Sequence, residues 1–138
     1  METAAITKRK YVYGILANEN KYLILLRPAD KKVDSSKWNF VGGKLEPNET
    51  LAEAMKREAS EEIGVLFENI STIFGNYETD VMDIVVFDIG KVKDIKITLN
   101  HEHVEYRWVT IDEALQLPLL PYMVKVFKDI KRRNIDGN

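Results

Sequence analysis

With 138 residues, of which 45% are hydrophobic and 30% charged, the chain has the size and composition of a globular domain, and we expect one domain over residues 1–138. Its net charge of −2 argues against a dedicated nucleic-acid-binding protein, and the lack of cysteine excludes disulfides, thiolate catalysis and cysteine-ligated zinc. No apolar run reaches membrane-spanning length and residues 1–10 lack a signal-peptide core, so we expect a cytoplasmic protein without a membrane partner.

The beginning of the chain predicts a β-hairpin. Residues 11–17 alternate as a half-buried strand does, and residues 21–27 are almost continuously apolar, as expected for a strand covered on both faces. Polar residues and a proline predict a loop over residues 28–37. A short strand over residues 38–41 then leads to a pair of glycines.

Residues 42–65 contain the most informative pattern in the chain. The two glycines that open this segment permit backbone conformations and close approaches that other residues do not. Thr50 and Glu53 have the spacing of a capping box, which predicts a helix starting at Thr50. Gly64 is placed to end that helix.

Carboxylates lie beside the apolar stripe of this predicted helix. At about 100° per residue, Glu58 and Glu62 fall inside or next to the stripe, and Glu61 falls at its edge. Anions near a buried face repel one another unless a cation lies among them, and Mg²⁺ prefers such oxygen ligands. A solvated glutamate-rich helix is the alternative that this pattern alone leaves open.

The second half of the chain predicts further strands and two helices. The strands are expected over residues 70–79, 81–89, 95–99 and 106–109. A second capping box at Thr110 predicts a short helix to about residue 117, and apolar spacing over residues 123–130 predicts an amphipathic helix. This order of elements favours an α+β fold with a mixed sheet.

The glycine-to-helix segment resembles the Nudix box, G-x5-E-x7-R-E-U-x-E-E-x-G-U, in which U is a bulky aliphatic residue. The matching residues are Gly43, Glu49, Arg57, Glu58, Glu61, Glu62, Gly64 and Val65. Ala59 fills the first U position and is smaller than usual, and Val41 stands where a proline commonly precedes the glycines. The resemblance implies a MutT-like Nudix fold, a curved mixed sheet between helices.

The resemblance also implies a hydrolase that uses Mg²⁺, with Mn²⁺ as a substitute, to cleave a phosphoanhydride bond. The implied metal ligands are the Gly43 carbonyl, Glu58, Glu61, Glu62 and Glu102. The implied catalytic residues are Glu61, Glu62 and Glu102, together with Arg57 and Glu49. Arg57 lies off the carboxylate face and is expected to pair with Glu49 and orient the loop and helix; a surface ion pair is the alternative.

A second acidic segment lies just before the strand predicted to follow residue 105. It resembles the E-H-x-E-Y-x-W-V stretch downstream of many Nudix boxes, which makes Glu102 an extra metal ligand or general base, with Glu105 as its competitor. Zinc is disfavoured because the spacing of His101 and His103 lacks convincing further ligands, and both histidines are expected to be solvated.

Two residues are candidates for substrate binding. Arg27 ends a predicted strand and is a candidate phosphate contact, with an ordinary surface arginine as the alternative. Trp38 is a candidate for stacking on a nucleobase, with core lining as the alternative. The expected substrate is a small nucleotide, a nucleoside triphosphate first and a nucleotide sugar second.

Other functions stay open at this point. Tyr77 is a candidate for the tyrosine of enzymes that cleave dinucleoside polyphosphates. A Nudix-fold domain that binds a nucleotide without cleaving it is the main rival, and the intact set of glutamates argues against it. An RNA 5′-end pyrophosphohydrolase is disfavoured by the acidic balance. A second copy of the chain, as a homodimer, is also kept open as a partner.

Overall fold

The computed structural model describes residues 7–30 and 36–136, so part of the predicted loop over residues 28–37 lies outside the described residues. The elements are β1 (Arg9–Asn18), β2 (Lys21–Leu26), β3 (Trp38–Asn39), β4 (Val41–Lys44), α1 (Leu51–Ile63), β5 (Thr72–Glu78), β6 (Met82–Lys91), β7 (Glu105–Val109), α2 (Ile111–Ala114) and α3 (Pro121–Asp136). Within the described part, no helix is long and apolar enough to span a membrane.

The strands form a mixed sheet organised around β1. One edge of β1 pairs in parallel with β6 along almost its whole length. The other edge pairs antiparallel with β2 near Asn18 and with β4 near Tyr11. Strands β3 and β7 extend the sheet from β2, and β5 extends it from β6. The predicted hairpin and the α+β fold with a mixed sheet are thereby confirmed.

Both faces of the sheet are covered. Leu23 and Leu25 of β2 belong to the buried cluster that contains Met55 of α1, whereas Ile24 belongs to the cluster that contains Phe127 of α3. Successive side chains of a strand point to opposite faces, so a strand between two helical layers must be apolar at every position. This explains the continuous apolar run of β2.

Helix α1 begins and ends as its sequence predicts. The Thr50 hydroxyl accepts a hydrogen bond from the Glu53 N–H at 3.1 Å, and the Glu53 carboxylate accepts one from the Thr50 N–H at 2.8 Å. Gly64 ends the helix with φ +68°, in the left-handed region, and its N–H donates to the Ser60 carbonyl. The capping box and the glycine stop are therefore confirmed.

The strand predicted over residues 95–99 is wrong. Ile95, Ile97 and Leu99 do pack against the buried cluster on the α1 side, but the segment belongs to no strand. Its backbone instead contacts the C-terminal end of α1, where the Thr98 N–H donates to the Ile63 carbonyl at 2.9 Å. The alternating polarity therefore indicates an extended segment with one buried face. The backbone of this segment forms its hydrogen bonds with the end of a helix.

The strand predicted over residues 38–41 is divided in two. Trp38 and Asn39 pair with β2, whereas β4, beginning at Val41, pairs with β1. The chain changes partners at Phe40, whose side chain is buried and whose N–H donates to the Asn39 side-chain oxygen at 2.8 Å. This change of partner brings the two glycines alongside β1.

We expect replacement of Thr50 by alanine to lower the free energy of unfolding by about 1 kcal/mol, because the capping hydroxyl is lost. Thr50→Ser keeps the hydroxyl and should stay close to wild type. Urea denaturation of the three proteins measures the difference. Equal stability of the alanine and serine variants would contradict the capping role.

Candidate active site

A cavity of about 290 Å³ lies where β1, β4 and α1 meet. Three carboxylates line it, from Glu58 and Glu62 on α1 and from Glu102 in the segment before β7. The i, i+4 spacing places the first two on one face of the helix. The structure thus brings together three of the four glutamates that the resemblance implies as metal ligands.

Glu58 lies directly against the backbone of Gly43. A Cβ atom at position 43 would lie 2.7 Å from both Cδ and Oε1 of Glu58, so only glycine leaves room for this carboxylate. Burial raises the pKa of Glu58, and the neighbouring Arg57 guanidinium acts in the opposite direction. The second box glycine therefore sets how closely the helix carboxylate approaches β4.

Glu62 is the most buried of the three carboxylates, at 3% exposure. Its Oε1 accepts a hydrogen bond from the Gly42 N–H at 2.8 Å. Burial raises the pKa of Glu62 well above its usual value; the Gly42 N–H counteracts this, and the charges of Glu58 and Glu102 add to it. The cluster is electrostatically unfavourable without a cation.

Arg57 links the loop before α1 to this cluster. Its Nε and Nη2 atoms lie 2.6 and 3.1 Å from the two carboxylate oxygens of Glu49, and this pairing holds the pKa of Glu49 below its usual value. Nη1 lies 2.8 Å from Glu58, and Nη2 donates to the Lys44 carbonyl at 3.1 Å. The expected Arg57–Glu49 pair is present and largely shielded from solvent, and the guanidinium also reaches the carboxylate face.

Glu61 is not placed with the other carboxylates. Its side chain is 54% exposed, and its Oε2 lies 3.4 Å from Nη1 of Arg57. The position at the edge of the apolar stripe accounts for this, because the side chain leaves the helix on its solvent side. Its implied role as a metal ligand stays a prediction.

The structure distinguishes the positions of Glu102 and Glu105. Glu102 lines the cavity, and its N–H donates to the Asn100 side-chain oxygen at 3.0 Å. Glu105 lies on β7, its side chain is 43% exposed, and it pairs with Arg107 at 2.8 Å. Of the two competing carboxylates, Glu102 is therefore the one beside the box helix.

The expectation that both histidines are solvated is wrong for His103. His101 is exposed, but His103 lines the cavity at 8% exposure, with Nδ1 4.0 Å from Oε2 of Glu62. Burial lowers the pKa of His103 to about 4, although the Glu102 charge acts in the opposite direction. The Glu102-His103 pair, which matches the E-H of the downstream stretch, was the only sequence signal for this position.

Cationic side chains share the cavity with the carboxylates. The half-buried Arg27 lines it together with Lys37 and Lys44, two residues that the sequence did not single out. A group of three cations beside three carboxylates suits a ligand that carries both phosphates and a bound cation. The position of Arg27 favours the phosphate-contact hypothesis over an ordinary surface arginine.

Trp38 is a core residue in this structure, which corrects its assignment as a stacking surface. It is 3% exposed and belongs to the buried cluster on the α3 side, and the Arg107 guanidinium lies 4.8 Å from its ring centroid. The pairing of β3 with β2 turns the ring into the core. An indole held in this way presents no open face to a base.

Asn39 lines the cavity, and its side-chain oxygen is held by two hydrogen bonds. Its Oδ1 accepts from the Phe40 N–H at 2.8 Å and from the Tyr122 hydroxyl at 2.5 Å. Because the backbone N–H can only donate, the oxygen must occupy this position, and Nδ2 is the other atom. Asn39 lines the same cavity as Tyr11 and Tyr13.

Tyr77 lies away from this cavity. Its hydroxyl donates to the Asp129 carboxylate of α3 at 2.6 Å, and burial together with this bond raises the pKa of Tyr77. The contact ties the edge strand β5 to α3. Tyr77, the tyrosine candidate for dinucleoside-polyphosphate cleavage, thus connects two elements of the fold and does not line the cavity.

Comparison with known proteins identifies the family. The sequence-family model of the NUDIX domain matches residues 7–130. The chain therefore belongs to the Nudix family. It is 34% identical over 112 residues to the CTP pyrophosphohydrolase of Escherichia coli K12, covering 80% of this chain and 82% of that protein. It is 31% identical over 121 residues to the nucleoside triphosphatase NudI of Klebsiella pneumoniae, covering 77% and 84%.

A solved structure agrees with this assignment. The MutT protein from Methanosarcina mazei Go1 superposes with a TM-score of 0.84 at 30% sequence identity, covering 96% of this chain and 99% of that one. The predicted MutT-like Nudix fold and the pyrophosphohydrolase class are confirmed.

We expect Gly43→Ala to reduce turnover at least about tenfold in a folded protein, because the added methyl group would displace the Glu58 carboxylate. Losing a group that supports a metal site typically has an effect of this size. Gly75→Ala is the matched control. Its added methyl group would lie 3.2 Å from the Tyr77 side chain, which does not line the cavity. Steady-state kinetics on both variants measures the effect. Equal turnover in the two would show that the close approach at Gly43 is unimportant.

Proposed function

We propose that this protein hydrolyses a phosphoanhydride bond of a nucleoside triphosphate in a Mg²⁺-dependent reaction, with Mn²⁺ as a substitute. The observation that carries the proposal is that three acidic and three cationic residues line one and the same cavity. The relatives named as a CTP pyrophosphohydrolase and a nucleoside triphosphatase support the same substrate class, and CTP is the first compound to test.

The donor set fits a hard divalent cation. Glu58, Glu62 and Glu102 supply oxygen ligands, the Gly43 carbonyl adds another, and Glu61 is a further candidate. Glu62 forms no ion pair with a lysine or arginine among the described residues, so its buried charge is uncompensated by side chains. Burial and, to a smaller extent, the charges of Glu58 and Glu102 raise the pKa of Glu62, and a cation among these carboxylates would offset both effects.

The cation, when bound, neutralises charge on the phosphates and makes a bound water more acidic. In our proposal Arg27, Lys37 and Lys44 bind phosphate oxygens and orient the phosphate chain. A carboxylate oxygen of Glu102 accepts the proton of the attacking water. The water oxygen bonds to phosphorus while the bridging P–O bond breaks, which yields a nucleoside monophosphate and pyrophosphate.

We further propose that Asn39 helps to bind the nucleoside. In this proposal its Nδ2, the atom opposite the fixed oxygen, donates to the ligand, and a pyrimidine offers carbonyl or ring-nitrogen acceptors for it. The Tyr122 hydroxyl acts as a positioning group, since it holds the amide in this orientation. Tyr11 and Tyr13 line the same cavity.

The rival functions make different demands on this site. A domain that only binds a nucleotide does not need three carboxylates around one cation site. An RNA 5′-end enzyme would need a basic surface beyond the cavity, whereas the chain has a net charge of −2. A cytoplasmic location and one domain over residues 1–138 remain part of the proposal. Light scattering would show whether the chain assembles as a homodimer.

Turnover of CTP, UTP, GTP and ATP with Mg²⁺ tests the proposal, with nucleoside monophosphate and pyrophosphate as the measured products. We expect Glu62→Gln and Glu102→Gln each to lower kcat by about a hundredfold or more, because a metal ligand or the base is lost. Glu105→Gln is the matched control and should keep wild-type turnover. Activity that survives exhaustive chelation, or an inactive Glu105 variant beside an active Glu102 variant, would reject this assignment.

Replacement of Asn39 by aspartate keeps the oxygen that Tyr122 and Phe40 contact but turns the cavity donor into an acceptor. We expect the KM for CTP to rise about tenfold with kcat little changed, since one hydrogen bond is lost and two acceptors face each other. Tyr122→Phe should raise KM less. Asn76→Asp is the control away from the cavity. An unchanged KM in the Asn39 variant would remove it from the nucleoside site.

A further inference from the structure

The buried imidazole of His103 is a polar group that the proposed hydrolytic chemistry does not use. Its side chain is 6% exposed, and its Nδ1 is buried with no hydrogen-bond partner among the described residues. Buried polar atoms in native proteins are almost always paired with protein, water or an ion. Leaving a buried nitrogen unpaired is unfavourable, so a partner is to be expected.

The position of Nδ1 points to what that partner is. It lies 4.0 Å from Oε2 of Glu62, and one ligand atom each from Glu62, Glu102 and His103 lies within 4.8 Å of the others. Two metal–ligand bonds of about 2.1 Å span up to about 4.2 Å when they point in opposite directions. One ion can therefore contact Nδ1 and Glu62 as they stand, and a small side-chain movement brings Glu102 to it.

The segment that carries His103 is fixed at both ends. Before the histidine, the Asn100 N–H donates to the Glu62 carbonyl at 3.3 Å, at the C-terminal end of α1. After it, the Val104 N–H donates to the Leu26 carbonyl at 3.0 Å, at the end of β2. The imidazole is thus held beside the carboxylates by the backbone, which preorganises a ligand.

We propose that Nδ1 of His103 is a ligand of the metal ion and makes this site bind divalent transition-metal ions more tightly than carboxylates alone would. Imidazole nitrogen is a good donor to ions such as Co²⁺ and Ni²⁺, whereas Mg²⁺ strongly prefers oxygen. The neutral tautomer with its proton on Nε2 directs a lone pair at the ion. This inference rests on the proposed function, because it concerns the same carboxylates.

The test uses the metals alone, titrated into the full-length chain by calorimetry. His103→Phe removes the nitrogen and keeps a buried ring, and His101→Phe is the matched control at an exposed histidine. We expect the His103 variant to lose at least about tenfold in Co²⁺ affinity and less than about twofold in Mg²⁺ affinity. The His101 variant should match wild type for both ions.

A spectroscopic measurement on the wild-type chain keeps the inference testable even if the His103 variant folds poorly. Pulsed electron paramagnetic resonance of bound Mn²⁺ should show coupling to a ¹⁴N nucleus, and the coupling should be absent in His103→Phe. Wild-type Mn²⁺ without nitrogen coupling would overturn the inference. Equal losses of Co²⁺ and Mg²⁺ affinity would also overturn it, since they indicate a general structural role.

Glu62→Gln separates this inference from the proposed function. If that variant loses affinity for both ions while His103→Phe binds both as wild type does, the carboxylate site stands and only the nitrogen ligand is rejected. If the wild-type chain binds neither ion, the carboxylate metal site and the nitrogen ligand are rejected together. Selective loss of Co²⁺ in the His103 variant supports the inference.

Discussion

The contact between the two box glycines and the carboxylates of α1 is the constraint on which the site depends. Gly42 donates its N–H to Glu62, and Gly43 leaves the space that the Glu58 carboxylate fills. Both contacts require the helix to lie directly against β4, with buried acids facing a strand. The charge that this arrangement concentrates is what a cation would stabilise, so the metal chemistry of the proposed site follows from a packing contact.

Local signals in the sequence predicted the box helix well. The caps at Thr50 and Gly64 and the apolar spacing between them are properties of neighbouring residues, and the structure reproduces both ends. The family resemblance then supplied Glu58, Glu62 and Glu102, which do meet in one cavity. Features determined within one helix, or by a motif with many fixed positions, were accessible from one sequence.

Features that depend on distant parts of the chain were not accessible. Burial of His103 depends on the end of α1 and the end of β2, and burial of Trp38 depends on its pairing with β2 and on Arg107. The partners of His103 and of Trp38 all lie far from them in the sequence. The false strand over residues 95–99 has a related cause, because alternating polarity shows which side chains are buried but not what bonds the backbone.

The hydrogen bond between Tyr122 and Asn39 joins residues 83 positions apart, and Tyr122 lies in the first turn of α3. A nascent chain emerging from the ribosome therefore carries all three cavity carboxylates before it has the group that orients Asn39. The carboxylates of the cavity come from segments that precede α3 in the chain, whereas the hydroxyl that orients Asn39 comes from α3 itself. In our proposal, the orientation of Asn39 toward the nucleoside is thus set only when α3 docks on the sheet, after the residues of the carboxylate cluster have been synthesised.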